Sequence, residues 1–157
     1  MKKAVFAGTF DPVTIGHEKV IEKASKLFDK LYVLVGVNPE KKPIFSLEKR
    51  LKMLKSVCKS YLNVEVCYYE GLLVDFMKSN GVIYTVRGVR NDSDYVYENK
   101  MHFVNKELYP EIVTLFIPCE KHLVEVSSTA VREAVTNSKD LRKYLSKEII
   151  EIIKQTE

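Results

Sequence analysis

Apolar positions along this chain switch repeatedly between two kinds of spacing. Short apolar blocks at Lys3 to Ala7, Leu31 to Val37, Val64 to Tyr68, Val82 to Val86 and Ile112 to Ile117 predict strands. Leu31 to Val37 is rich in β-branched residues and does not alternate, as expected of a strand covered on both faces. Between the blocks the spacing turns helical. Gly16 to Phe28 puts Val20, Ile21, Ala24, Leu27 and Phe28 on one stripe. Ser46 reads as an N-cap before Leu47, Leu51, Leu54, Val57 and Cys58. Leu72 to Ser79 predicts a short helix, with Gly81 as its stop. Asp92 to Leu108 predicts a long helix ended near Pro110. Ser127 opens another helix, and Ser146 caps a last one carrying Ile149, Ile150 and Ile153.

Alternation of this kind predicts an α/β fold: an open parallel sheet of about five strands with helices on both faces and right-handed crossovers. No repeat, low-complexity tract or linker interrupts it, so residues 1–157 are expected to form one domain. Ligands in such sheets bind beyond the carboxyl ends of the strands, so functional residues should lie just after strands.

Composition narrows the partners. Hydrophobic residues make up 46% and charged residues 29%, a soluble globular balance rather than a disordered one. No apolar run approaches the roughly 20 residues of a membrane helix, so no membrane role is expected. The net charge of +4 suits anionic small molecules; the lysines are dispersed, with no basic run or interleaved aromatics to suggest nucleic acid. The opening MKKAVFAGTFDP starts like a secretion signal, but its apolar run stops at Gly8 and Asp11 and Pro12 follow. It reads as a strand and its loop, and a cytoplasmic location is expected. Cys58, Cys67 and Cys119 form no CxxC pair; free thiols in a reducing compartment are expected, and no metal ligand set is apparent.

Five segments offer chemistry. Gly8-Thr9-Phe10-Asp11-Pro12, followed by Gly16-His17, joins the first strand to the first helix. Helix N-termini favour phosphate, and a histidine there can donate to phosphate oxygens. Taken alone, His17 is equally well explained as a helix cap. Neither a Walker loop nor a GxGxxG is present. Arg87-Gly88-Val89-Arg90, directly after a predicted strand, makes an anion clamp or a pair of surface ion pairs. Ser127-Ser128-Thr129, ahead of Val131, Arg132 and Glu133, places three hydroxyls where capping needs one. Lys41-Lys42-Pro43 follows the second strand, and a mobile lysine there can reach a transferred phosphate or simply face solvent. Asp94, Glu98, Met101 and Asn105 share one face of the long helix. No set of residues at usable spacing points to a covalent nucleophile.

Several motifs together carry a resemblance. GTFDPVTIGH resembles the (T/H)xGH signature of the nucleotidyltransferase α/β-phosphodiesterase superfamily, and VSSTAVRE resembles its ISSTxxR-type motif. KKPIFSLEKRLKML, YEGLLVDFMKSNGV and VRGVRNDSDYVYENKMHFVNKEL are similar, in order and spacing, to the phosphopantetheine adenylyltransferase family. The resemblance implies a Rossmann-like fold, a homohexamer, and use of Mg²⁺. It implies transfer of an adenylyl group from ATP to 4′-phosphopantetheine, giving dephospho-coenzyme A and pyrophosphate, a step in coenzyme A synthesis. Coenzyme A, with its product-like shape, becomes a candidate inhibitor. His17, Lys41 and Arg90 would be catalytic. Thr9 and Arg87 would hold the acceptor phosphate, Lys41 would bridge both phosphates, and Leu73, Val74 and Asn105 would line the pantetheine arm. Arg90 and Glu98 would contact ATP, Ser127, Ser128 and Thr129 its β- and γ-phosphates, and Gly8, Phe10 and Gly88 would shape the nucleotide pocket. The chain departs from the family pattern at 121–126, where Glu125 stands in place of an apolar ring, and at Lys100.

Overall fold

The computed structural model describes residues 1–155. Five parallel strands, β1 (Lys3–Gly8), β2 (Lys30–Val37), β3 (Val64–Glu70), β4 (Tyr84–Val89) and β5 (Val113–Pro118), form one sheet in the order β3-β2-β1-β4-β5. The helices are α1 (Ile15–Leu27), α2 (Leu47–Cys58), α3 (Leu73–Ser79), α4 (Asp92–Leu108), α5 (Ser128–Thr136) and α6 (Lys147–Lys154), with a 3-10 turn at Lys121–Leu123. The expected single-domain α/β architecture is present, and the 3-10 turn is an addition to it.

Strand periodicity sorts the core into two layers. Ala4, Phe6, Leu31, Val33 and Val35 face Val20, Ile21, Ala24, Met53, Leu54 and Ile149 from α1, α2 and α6. Val5, Tyr32 and Leu34 face Val74, Phe76 and Met77 of α3. Leu27, expected on the buried stripe of α1, is 58% exposed, because the helix ends there and Phe28 turns inward in its place. Ser46 and Ser127 cap their helices as expected, whereas Ser146 occupies an N-cap position without a side-chain cap bond.

One boundary matters for the site. Helix α3 ends with the Gly81 N–H bonded to the Lys78 carbonyl and the Val82 N–H to the Met77 carbonyl, Gly81 standing at φ 64. This Schellman closure uses Val82, so β4 begins at Tyr84 rather than Val82. Consequently Arg87 and Gly88 lie inside the strand and not in the loop after it.

Strand order reverses between β1 and β4. The two pair only at Ala4 with Tyr84 and Val5 with Thr85, although both continue well beyond. Past that point they splay, and the resulting crevice at their carboxyl ends is where an open α/β sheet binds its ligand.

Candidate active site

The crevice holds a cavity of about 300 Å³ lined by β1, the loop after it, the start of α1, the end of β4 and the start of α5. Gly8, Thr9, Phe10, His17, Arg87, Gly88, Arg90, Ser127 and Ser128 all line it. Gly88 is required by packing: a Cβ there would stand 3.0 Å from Val20 Cγ2, so glycine lets α1 lie close on β4. Phe10 adopts a left-handed backbone at φ 48 and is buried, its ring 5.0 Å from that of His17 and 5.3 Å from that of Phe6. A left-handed phenylalanine is uncommon and is held here by this packing.

His17 occupies the third position of a capping box. Thr14 Oγ1 accepts the His17 backbone N–H at 3.3 Å, and the Thr14 backbone N–H donates to His17 Nδ1 at 3.0 Å. With Nδ1 accepting, the proton of the neutral ring resides on Nε2, the corner left for the cavity. Burial, then Arg87 and Arg90, push the imidazole down to about 4. Near neutral pH His17 is therefore an uncharged N–H donor and a poor base.

Arg87 fills the gap between the splayed strands. Its Nη1 donates to the Ala7 carbonyl across the crevice. Nε and Nη2 form a two-pronged pair with Glu98 of α4, at 2.8 Å and 2.9 Å. Arg87 also lines a second cavity of about 280 Å³, together with Leu73, Thr85, Glu98, Met101 and Asn105. His102 Nδ1 lies 2.7 Å from Thr114 Oγ1 at the edge of this second space. Arg90 lines the first cavity alone, its backbone N–H and Nε both donating to Asp94 Oδ2 at 3.1 Å. The two cavities thus share one guanidinium.

Comparison with known proteins identifies the family and the fold. A cytidylyltransferase-like family model matches residues 5–134. A phosphopantetheine adenylyltransferase of Tolumonas auensis is 40% identical over 153 residues, covering 98% of this chain and 93% of the relative. One of Clostridium botulinum strain 657 is 43% identical over 155 residues, covering 99% and 94%. The chain belongs to the phosphopantetheine adenylyltransferase family. Among solved structures, a putative nicotinate-nucleotide adenylyltransferase from Vibrio parahaemolyticus superimposes with a TM-score of 0.67 at 22% identity, covering 98% of this chain and 92% of the other. The Plasmodium falciparum nicotinic acid mononucleotide adenylyltransferase complexed with NaAD gives 0.69 at 19%, covering 98% and 95%. At those identities the likeness concerns the fold alone.

Within this family frame the structure brings most of the expected residues together and displaces several. Lys41 is exposed on the loop after β2 and lines neither cavity; its backbone N–H closes a turn onto Asn38. Val74 is 1% exposed in the α3 layer of the core, behind the second cavity rather than on its wall, while Leu73 and Asn105 are on the wall. Glu98, expected beside the nucleotide, stands on the second cavity because Arg87 draws it there. Thr129 is exposed and off the first cavity, its hydroxyl accepting from Arg132 at 3.1 Å. The other two hydroxyls also have partners: Ser127 caps the Ala130 N–H and Ser128 donates to the Pro12 carbonyl at 3.0 Å.

Three further side chains in or beside the site carry no role in the sequence analysis. Arg132 lines the first cavity and donates to the Asp11 carbonyl at 3.1 Å. Its place four residues after Ser128, on the same helix face, is the local signal that marks it. Asp11 and Arg50 are buried at 3% and 5% exposure, and both bind backbone of the loops around the site. Asp11 lies in GTFDPVTIGH and Arg50 in KKPIFSLEKRLKML, but the backbone groups they bind include partners 33 to 41 residues away, which no local spacing reveals.

Proposed function

We propose that this chain transfers the adenylyl group of ATP to 4′-phosphopantetheine, giving dephospho-coenzyme A and pyrophosphate, by direct in-line attack. The observation that supports this most is the pair of cavities meeting at Arg87, one at the strand-order reversal and one beneath α4. Two anionic substrates laid end to end would have their phosphates at that shared cation.

The acceptor is a phosphate monoester, already a competent nucleophile near neutral pH, so alignment and charge neutralisation are what the protein must supply. In this reading Thr9 and Arg87 hold the acceptor phosphate. Three of the five Arg87 N–H donors are engaged by Ala7 and Glu98, which aims the remainder. His17 donates from Nε2 to the α-phosphate as charge builds on it, and Arg90 and Lys41 neutralise the same charge. Lys41 acts by reaching in from its exposed loop. Ser127, Ser128, Thr129 and the amino end of α5 receive the β- and γ-phosphates, with Arg132 beside them. Gly8, Phe10 and Gly88 form the nucleotide pocket, and Leu73 and Asn105 the arm pocket with Val74 packed behind. Glu98 orients Arg87.

Mg²⁺ does not fit as a protein-held ion. Asp11 is the one acid lining the first cavity, and both its oxygens accept backbone N–H groups of Ile44 and Phe45. Among the described residues no cluster of three His, Cys, Asp or Glu is placed to hold a metal. Magnesium enters this reading only as part of the ATP substrate.

The proposal extends to a homohexamer, to inhibition by coenzyme A at the same cavities, and to a cytoplasmic location. Self-association is supported by α4, whose 17 residues include none that is buried while Tyr95, Val96, Tyr97, Phe103, Val104 and Leu108 are exposed. Sedimentation that returns a monomer would remove the hexamer. The location is supported by three free thiols, two of them pushed up by burial, Cys58 to about 12 and Cys67 to about 11. Among the described residues no helix is long and apolar enough to cross a membrane.

Pyrophosphate release, measured with ATP and each of 4′-phosphopantetheine, nicotinate mononucleotide and glycerol 3-phosphate, tests the substrate. Turnover is expected with the first alone. Faster turnover with nicotinate mononucleotide would move the chain to the activity named for its structural neighbours.

A further inference from the structure

Two buried charges of opposite sign sit beside the first cavity, and each binds backbone rather than the other. Asp11 Oδ2 accepts the Ile44 N–H at 2.9 Å, and Oδ1 accepts the Phe45 N–H at 3.0 Å. Arg50 Nε donates to the Phe45 carbonyl at 3.1 Å, and Nη1 donates to the Thr9 carbonyl at 3.0 Å. Both side chains are nearly inaccessible, at 3% and 5% exposure. The Phe45 residue is therefore gripped on its N–H by the carboxylate and on its carbonyl by the guanidinium. Its ring is buried in the main core layer. The grip joins two loops that are more than 30 residues apart in sequence: Thr9 to Pro12 after β1, and Asn38 to Phe45 after β2.

Burying a carboxylate and a guanidinium is costly, and a hydrophobic pair would fill the same volume more favourably unless the geometry itself is needed. Here the geometry fixes Thr9 in the first cavity and the root of the loop that carries Lys41, three residues before Ile44. We infer that Asp11 and Arg50 are positioning residues for adenylyl transfer: together they lock the Lys41 loop to the Thr9 loop so that both side chains approach the same phosphate. The inference rests on the reading above for the roles of Lys41 and Thr9. Arg50 lies off both cavities, and Asp11, although it lines the first, has both carboxylate oxygens taken by the Ile44 and Phe45 N–H groups. Asp11 supplies two acceptors in one plane and Arg50 two donors in one plane, a match that Asn and Lys cannot reproduce.

The test is a double-mutant cycle with a structural readout alongside it. Asp11→Asn turns an amide toward two N–H donors and opens one of the two bonds. It should lower kcat by about tenfold to a hundredfold, the scale of a displacement of about 1 Å, with the KM for ATP little changed. Lys41→Ala, severe in the wild-type background, should cost less than about threefold on top of Asp11→Asn, because the loop is already misplaced. Arg50→Lys, which keeps the charge on a single donor nitrogen, should fall between wild type and Arg50→Leu. Amide exchange at Ile44 and Phe45 should accelerate at least about tenfold in Asp11→Asn while Val33 and Val35 of β2 stay protected. Two results overturn the inference: undiminished cost of Lys41→Ala in the Asp11→Asn background, or unchanged exchange at Ile44 and Phe45. If Asp11→Asn does not fold, Arg50→Lys takes its place in the same cycle. Should the wild-type protein release no pyrophosphate with any acceptor, the functional reading fails, and the exchange measurement still decides whether the clamp exists.

Discussion

Helices α1 and α4 both deliver side chains to the site, and they are anchored in opposite ways. Helix α1 buries Val20, Ile21 and Ala24 in the sheet, its amino end is closed by a capping box, and the Ile15 N–H is held by the Tyr144 carbonyl at 2.9 Å. Helix α4 buries no residue. It turns Asp94, Glu98 and His102 inward to meet Arg90, Arg87 and Thr114, and leaves Tyr97, Phe103, Val104 and Leu108 exposed. Core packing fixes the side that carries His17, whereas ion pairs and hydrogen bonds hold the side that carries the second cavity. Packed side chains tolerate few alternative arrangements, while partly exposed ion pairs are weaker and screened by salt. The first cavity is thus preorganised, and the second is tethered through charge.

The largest effect should come from the rigid side. If His17 donates to the transition state as proposed, His17→Ala removes one donor, which typically costs about 3 kcal/mol, so kcat should fall about a hundredfold or more. ATP affinity should barely change, because the neutral ring contributes little before charge develops. Equal turnover in the mutant would show that α1 is rigid for reasons unrelated to the transition state. Direct transfer carries a companion expectation: denatured protein should retain no radiolabel after incubation with labelled ATP alone.

Local features of this side were readable in the sequence because they depend on neighbours in the chain. The stripe of α1 and the placement of His17 at its amino end follow from spacing within a few turns. What decides the rest spans long separations. Arg87 reaches Ala7, 80 residues away, and Arg50 reaches Thr9 across 41. Neither contact leaves a periodic trace. The late start of β4 follows from a helix closure that uses Val82, which a propensity argument assigns to the strand it resembles. The inverted polarity of α4 explains why spacing could place Asp94, Glu98 and Asn105 on one face without saying that this face turns inward.

The pH response should separate the same two sides. His17 is held down to about 4, against an unfolded value near 6.5. The unfolded chain therefore binds the extra proton first, and stability that is complete above about pH 6.5 is lost as pH falls toward 4. With a discount because the residue is only partly buried, this amounts to about 2 kcal/mol. Glu18, raised chiefly by burial, works in the other direction and stabilises the fold as pH falls. Thermal melts between pH 7 and pH 4 should show wild type losing more stability than His17→Gln, and Glu18→Gln losing more than wild type. Parallel losses in wild type and His17→Gln would mean that the imidazole is not held neutral.

The smallest effect belongs to the tethered side, and it decides where Glu98 acts. Its carboxylate is 13% exposed and bonds Arg87 through both oxygens. Glu98→Gln keeps the shape, removes the charge, and exchanges one acceptor for a donor that faces the guanidinium. A charge-assisted bond in a half-buried setting is worth roughly 1.5 kcal/mol, so acceptor affinity should weaken about tenfold as Arg87 loses its orientation. ATP affinity should hold, since Glu98 lies off the first cavity. Isothermal titration with each substrate separates the outcomes. Weakened ATP binding with intact acceptor binding would restore Glu98 to the nucleotide side, where family resemblance alone had put it, and would require α4 to move when substrate binds. The tenfold difference should also shrink as salt is raised, because screening weakens the wild-type pair and leaves the glutamine contact nearly untouched. A salt-independent difference would mean that packing against the second cavity, rather than charge, holds α4 in place.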